Sequence, residues 1–192
     1  MKRRLAVFAS GSGTNFEAIA SACRDGVLDA EVVLMVCDNP EARVMERAAK
    51  FGVPAFSFRA KSYRSKAEYE RVIVERLDQA SVELVCLAGY MRIVGPELLS
   101  AYGGRIINIH PALLPSFKGA HAIRDEFEFG VKVFGVTIHY VDETLDGGKI
   151  ISQRGFEYYG DDFDEVEART HEIEHELYVE TIGRLLGCSR TL

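Results

Sequence analysis

The sequence predicts an α/β fold: a doubly wound, mostly parallel sheet with helices on both faces and an antiparallel extension near the C-terminus. Three observations predict it. Short, nearly unbroken apolar runs at residues 5–9, 32–36 and 84–88 have the composition of strands buried on both faces. They alternate with stretches of helical periodicity, the rhythm of βαβ units. From residue 133 onward, two strand-like stretches are separated by a glycine turn, and so short a link joins antiparallel neighbours.

Taken in order, the first apolar run ends in Ser10-Gly11-Ser12-Gly13, after which Asn15 is expected to cap a helix carrying Phe16, Ile19, Ala20 and Cys23 on one side. The second strand follows at 32–36, a second helix at 41–50, a brief third strand at 55–58 and a charge-rich helix at 66–79. After the strand at 84–88, the segment 105–109 is the next strand. Residues 133–141 alternate, with Thr137 and His139 on one face and Val136, Ile138 and Tyr140 on the other. Residues 149–156 pair with them across Asp146-Gly147-Gly148, and a last helix spans 164–186. Ligands of such sheets bind at the carboxyl ends of the strands, which singles out the loops 10–14, 89–94 and 108–115.

The chain of 192 residues suits a single domain over 1–192. Its net charge of −6 argues against a nucleic-acid partner, because phosphate neutralisation needs a basic face. The opening Met1-Lys2-Arg3-Arg4 is basic, but the apolar run behind it is too short for a secretory leader, and no run of eighteen apolar residues exists to span a membrane. Cys23, Cys37, Cys86 and Cys188 are widely spaced without a Cys-x-x-Cys pair, so buried free thiols are expected rather than a disulfide framework. The expected address is the cytoplasm.

Chemistry concentrates in a few places. The small residues of the 10–14 turn let backbone amides at a helix start approach an anion, so phosphate binding is favoured there; the turn lacks the third glycine of a dinucleotide fingerprint and the lysine of a P-loop. In Asn108-Ile109-His110-Pro111, strand alternation puts Asn108 and His110 on one face, and Pro111 and Pro115 stiffen the loop beyond. Asp146 sits in a turn whose glycines allow its carboxylate to be offered inward. His171-Glu172-Ile173-Glu174-His175 matches the helical His-Glu-x-x-His pattern of zinc hydrolases, with His171, Glu172 and His175 in the roles. The same stretch also reads as an amphipathic helix with Ile173, Leu177 and Ile182 inward.

Several blocks together resemble a known family. Asn108-x-His110-Pro111, Leu113-Leu114-Pro115-x-Phe117-x-Gly119-x-His121, Gly135-Val136-Thr137-x-His139-x-Val141 and Asp146-x-Gly148 resemble the formyltetrahydrofolate-dependent formyltransferase superfamily. With Ser10-Gly11-Ser12-Gly13-Thr14-Asn15 and Ala88-Gly89-Tyr90-Met91-Arg92-Ile93 added, the likeness is to its purine-biosynthetic branch, which formylates glycinamide ribonucleotide. The resemblance implies a formyltransferase-like fold, with residues 1–100 as the nucleotide- and phosphate-binding half and 101–192 as the catalytic and folate-binding half. It implies 10-formyltetrahydrofolate as co-substrate, no metal, small-molecule partners only, and a monomer or homodimer. Gly13, Thr14 and Asn15 would hold the ribonucleotide phosphate, and Glu174 would face its amine. Met91, Arg92, Ile93, Val94 and Asn108 would line the folate pocket, with Asp142, Glu143, Thr144, Leu145 and Asp146 closing over it. Lys66 stands where relatives often carry the arginine that meets the folate carboxylate, and lysine keeps the charge but not the bidentate fork.

The implied catalytic residues are Asn108, His110 and Asp146, and they suit attack of an amine on a formyl carbon. An amide and a protonated imidazole can both donate to the developing oxyanion, each such donor being worth about 3 kcal/mol in related acyl chemistry. Imidazole is ordinarily mostly neutral at pH 7, and a carboxylate about 4 Å away favours its charged form by something like 4 kcal/mol before desolvation subtracts. Asp146 is expected to fill that place. Formyltetrahydrofolate hydrolases and methionyl-tRNA formyltransferases carry the same three residues, usually with an added domain. A zinc hydrolase or a non-enzymatic nucleotide-binding module are readings from other classes.

Overall fold

In a computed structural model, the structure describes residues 1–187. Cys188 lies outside them. Among the described residues the strands form one sheet, ordered β3-β2-β1-β4-β5-β6-β7. They are β1 (Arg3–Ala9), β2 (Ala30–Cys37), β3 (Ala55–Ser57), β4 (Leu84–Leu87), β5 (Ile106–His110), β6 (Val133–Tyr140) and β7 (Ile150–Glu157). Pairing is parallel from β3 through β5 and antiparallel at β5·β6 and β6·β7.

The helices are α1 (Thr14–Arg24), α2 (Arg43–Lys50), α3 (Lys66–Gln79), α4 (Pro96–Tyr102), α5 (Ala122–Phe129) and α6 (Phe163–Leu185). The period of two along β1 explains why both sheet faces are covered. Leu5, Val7 and Ala9 pack into a core shared with α1, α2 and α6, whereas Ala6 and Phe8 pack into a second core with α3 and α4. Phe8 and Phe16 are fully buried, each contributing roughly 2–3 kcal/mol of transfer free energy. Ile173 packs at the edge of the first core, with Leu177 and Ile182 inside it, as the amphipathic reading of that stretch expects. Cys23, Cys37 and Cys86 are buried free thiols. Among the described residues no helix is long and apolar enough to cross a membrane.

Two expectations are corrected. Asn15 does not cap α1; the capping position is Gly13, in the left-handed conformation at φ 76°, with no side-chain cap. A Cβ there would lie 2.6 Å from Val44 Cβ, so α2 packs where only glycine fits. Strand β5 runs on to His110 rather than ending at Ile109, because His110 still pairs with Thr137 of β6.

A third small core joins α5, β6 and α6 through Ile123, Phe134, Tyr158 and Val166. Beside it Glu126 of α5 is buried; its carboxyl accepts the Leu113 N–H, one oxygen has no partner, and burial pushes its pKa up to about 7. A carboxyl whose folded pKa lies above its unfolded value stabilises fully below the unfolded pKa, and that contribution is lost as pH rises through the folded one. The drop in melting temperature between pH 5 and pH 8 is therefore expected to be smaller in Glu126→Gln than in the parent; equal drops in thermal melts would refute the assignment.

Candidate active site

The order of strands reverses between β1 and β4, and the loops after these two strands diverge around a cleft of about 640 Å³. Ser10 N–H donates to Gly89 O (3.0 Å), and Met91 N–H donates to Ser10 Oγ (2.9 Å), so the two loops are tied to each other. On one side of the cleft, Gly13, Thr14 and Asn15 open α1, where the uncapped first-turn amides offer an electropositive edge. The Asn15 Oδ1 is buried there without a partner. On the other side, Met91 (66% exposed), Ile93 (60%) and Leu145 (52%) form an apolar rim, and three large exposed hydrophobics on one cleft mark a ligand surface.

Between these walls stand Asn108, His110 and Asp146. The antiparallel register sets Asn108 opposite His139 and His110 opposite Thr137. The loop after His110 is pinned from β6: Thr137 Oγ1 donates to Ala112 O (2.7 Å) and accepts from Leu114 N–H (3.0 Å). Gln153 Nε2 adds a bond to Leu114 O (2.9 Å), and the Leu114–Pro115 peptide is cis. His110 Nε2 donates to Phe117 O (2.8 Å), which leaves Nδ1 facing Asp146 Oδ2 at 3.6 Å. Asp146, itself at φ 46°, accepts the Gly119 N–H on Oδ2 (2.9 Å) and has Oδ1 3.8 Å from His139 Nε2. One carboxylate thus lies against two imidazoles at distances too long for direct hydrogen bonds but short enough for a charge interaction.

His139 is a functional candidate that sequence reasoning passed over. Its Nδ1 donates to Tyr140 O (2.8 Å), so its Nε2 accepts from the Asn108 amide (3.1 Å). Burial lowers its pKa, against the pull of the Tyr140 carbonyl and of Asp146, and keeps the ring in the neutral form that can accept. The bond fixes which end of the Asn108 side chain is nitrogen and leaves its second N–H to the cleft. The signal was available in the alternation that set Thr137 and His139 on one face; a bulge at Ile138/His139 re-aims the chain there.

The other expected residues divide. Arg92 and Val94 line the cleft, and Arg92 Nε pairs with Asp38 Oδ2 at 2.7 Å. Asp142 and Thr144 line it too, in a turn held by Thr144 N–H on Asp142 Oδ1 (2.8 Å), whereas Glu143 points away from the lining. Lys66 lies outside the lining; it is the first residue of α3, packs over Gly95 and sets its charge near Glu70. Glu174 lines the cleft from α6 and accepts from His171 Nδ1 at 2.6 Å, while Glu172 is exposed. His175 is half-buried with an unpartnered Nε2, and burial lowers its pKa.

A doubly wound sheet, an uncapped glycine turn and an amide–imidazole–carboxylate group in one two-walled cleft define an α/β protein with a ligand cleft where its strand order reverses. The chain belongs to the formyl transferase family, whose model matches residues 3–182. It is 50% identical to a phosphoribosylglycinamide formyltransferase of Bacillus subtilis (strain 168) over 96% of this chain and 95% of that one. Among solved structures it resembles glycinamide ribonucleotide transformylase 1 from Geobacillus kaustophilus at 51% identity and a TM-score of 0.94, covering 97% of this chain and 100% of that one. It also resembles the phosphoribosylglycinamide formyltransferase from Streptococcus pneumoniae TIGR4 at 49% identity and a TM-score of 0.90, covering 97% and 99%.

Proposed function

We propose that this chain transfers the formyl group of 10-formyltetrahydrofolate to the amine of glycinamide ribonucleotide, as a cytoplasmic enzyme of purine biosynthesis acting on small molecules. The observation that carries the reading is the placement of Asn108, His110 and Asp146 between an anion-favouring wall and an apolar rim. The N-terminal edge of α1 suits the ribonucleotide phosphate, through Gly13, Thr14 and Asn15. The rim of Met91, Ile93 and Leu145 suits a flat ring system, with main-chain groups of 91–94 to read its edge.

In this reading the formyl oxygen settles beside Asn108 and His110. The free N–H of the Asn108 amide and the Nδ1 proton of His110 donate to that oxygen as the amine adds to the carbon. Nδ1 is the ring atom that can do so, since Nε2 is engaged by Phe117 O. Asp146 holds the charge of the imidazolium through the transition state. Collapse then breaks the bond from carbon to the folate nitrogen, to which His110 delivers its proton.

The test is an absorbance assay of purified protein with 10-formyl folate, with and without glycinamide ribonucleotide. Folate product is expected only with the acceptor present. Turnover independent of acceptor would mark a hydrolase instead.

A further inference from the structure

Addition of a neutral amine to a formyl carbon leaves a nitrogen that must shed a proton, and the strand side of the cleft is poorly placed to take it. Both ring nitrogens of His139 are committed, His110 Nε2 donates to a carbonyl, and His110 Nδ1 faces a carboxylate as a donor. Asp146 accepts the Gly119 N–H on Oδ2, and its two oxygens are turned toward the His110 and His139 rings. Helix α6 differs. His171 and Glu174, one helical turn apart on α6, both line the cleft, and their 2.6 Å bond is the one hydrogen bond between an imidazole and a carboxylate among the described residues. Glu174 is buried, so its carboxylate is fixed; the His171 side chain is about half exposed, at 47%. With Nδ1 donating to Glu174, the neutral ring of this cleft-lining residue keeps its lone pair on Nε2. His121 also borders the cleft, but among the described residues no carboxylate hydrogen-bonds to its ring.

We infer that His171, oriented by Glu174, is the proton acceptor for the attacking amine, in the same cleft as His110. This rests on the formyl-transfer reading above. The steps balance: the amine nitrogen bonds to the formyl carbon, its proton passes to His171 Nε2, the bond from carbon to the folate nitrogen breaks, and His110 protonates that nitrogen. Solvent then returns a proton to His110 and removes one from His171. Glu174 acts as a positioning residue whose charge strengthens the base.

The Glu174 hydrogen bond, with Glu174 and Glu167 as neighbouring charges, raises the His171 pKa against burial. The same cleft is also lined by Asp146, His110, His121 and Arg124, and His175 follows on the same helix. A base works only deprotonated, so kcat should fall as pH drops through the raised value.

The experiment is the pH profile of kcat for formyl transfer to glycinamide ribonucleotide by the full chain and three variants. His171→Gln should lose about 10²-fold in kcat, with the acceptor KM within threefold. His171→Ala should recover rate with added free imidazole. Glu174→Gln should move the acid limb to lower pH. A parental kcat in His171→Gln, or a raised acceptor KM with kcat intact, overturns the inference while leaving the formyl-transfer reading standing. Absence of transfer by the parent protein overturns both.

Discussion

Replacing His110 with alanine is expected to lower kcat about 10³-fold, roughly 4 kcal/mol of barrier, with little change in KM for either substrate. The ring is nearly buried, and its Nε2 bond to Phe117 O holds it in one orientation, so the substitution removes a fixed donor rather than a mobile one. The loop beyond His110 is anchored independently by Thr137 and Gln153, which keeps the cleft walls in place when the imidazole is gone. A loss confined to kcat is therefore the signature of a donor acting in the transition state. Retention of full transfer in steady-state assays would end the proposed chemistry.

The second large effect is expected at a residue with no reactive group. A Cβ on Gly148 would overlap the Tyr140 carbonyl oxygen and come within 2.8 Å of its carbon, and both are backbone atoms unable to swing aside. Gly148→Ala must therefore displace the turn that carries Asp146. The expected result is a stability loss of about 1–3 kcal/mol together with a drop in kcat of more than tenfold. Denaturant melts and turnover should move together. A destabilised variant with parental kcat would mean that Asp146 is placed by contacts other than this turn.

Much of this arrangement was legible before any coordinates. Buried strands announce themselves by unbroken apolar runs, and the helix at Lys66–Gln79 matches its expected bounds because Ser65 caps it and its length allows several turns of periodicity. Helices α4 and α5 went unanticipated. At seven and eight residues they offer barely two turns, too few for a period to show, and α5 mixes four charged residues into that span. The cap of α1 was misplaced by one preference overriding another: Asn15 has the side chain of a cap, but Gly13 alone can take the backbone turn that clears Val44. At the site, strand alternation put Asn108 and His110 on one face and the glycine turn offered Asp146 inward, but it was the resemblance to the formyltransferase superfamily that joined the three as a catalytic set. The hydrogen bond that turns His139 into a support for Asn108 depends on cross-strand register, which periodicity in one strand does not encode. The pairing of His171 with Glu174, an i,i+3 pair within reach of helix periodicity, was instead overshadowed by a motif that pointed toward a metal.

Tyr178 links these observations to how the cleft is held. Its buried hydroxyl hydrogen-bonds to Leu87 O at 2.9 Å, with Ile107 O at 3.3 Å, which ties α6 to the end of β4 and the start of β5 one turn past Glu174. The part of α6 bearing His171 and Glu174 is thus fastened directly to the sheet. The segments 117–121 and 142–147 are fastened instead to each other, through the Gly119 N–H and the Asp146 carboxylate, so the two sides of the cleft are anchored by different means.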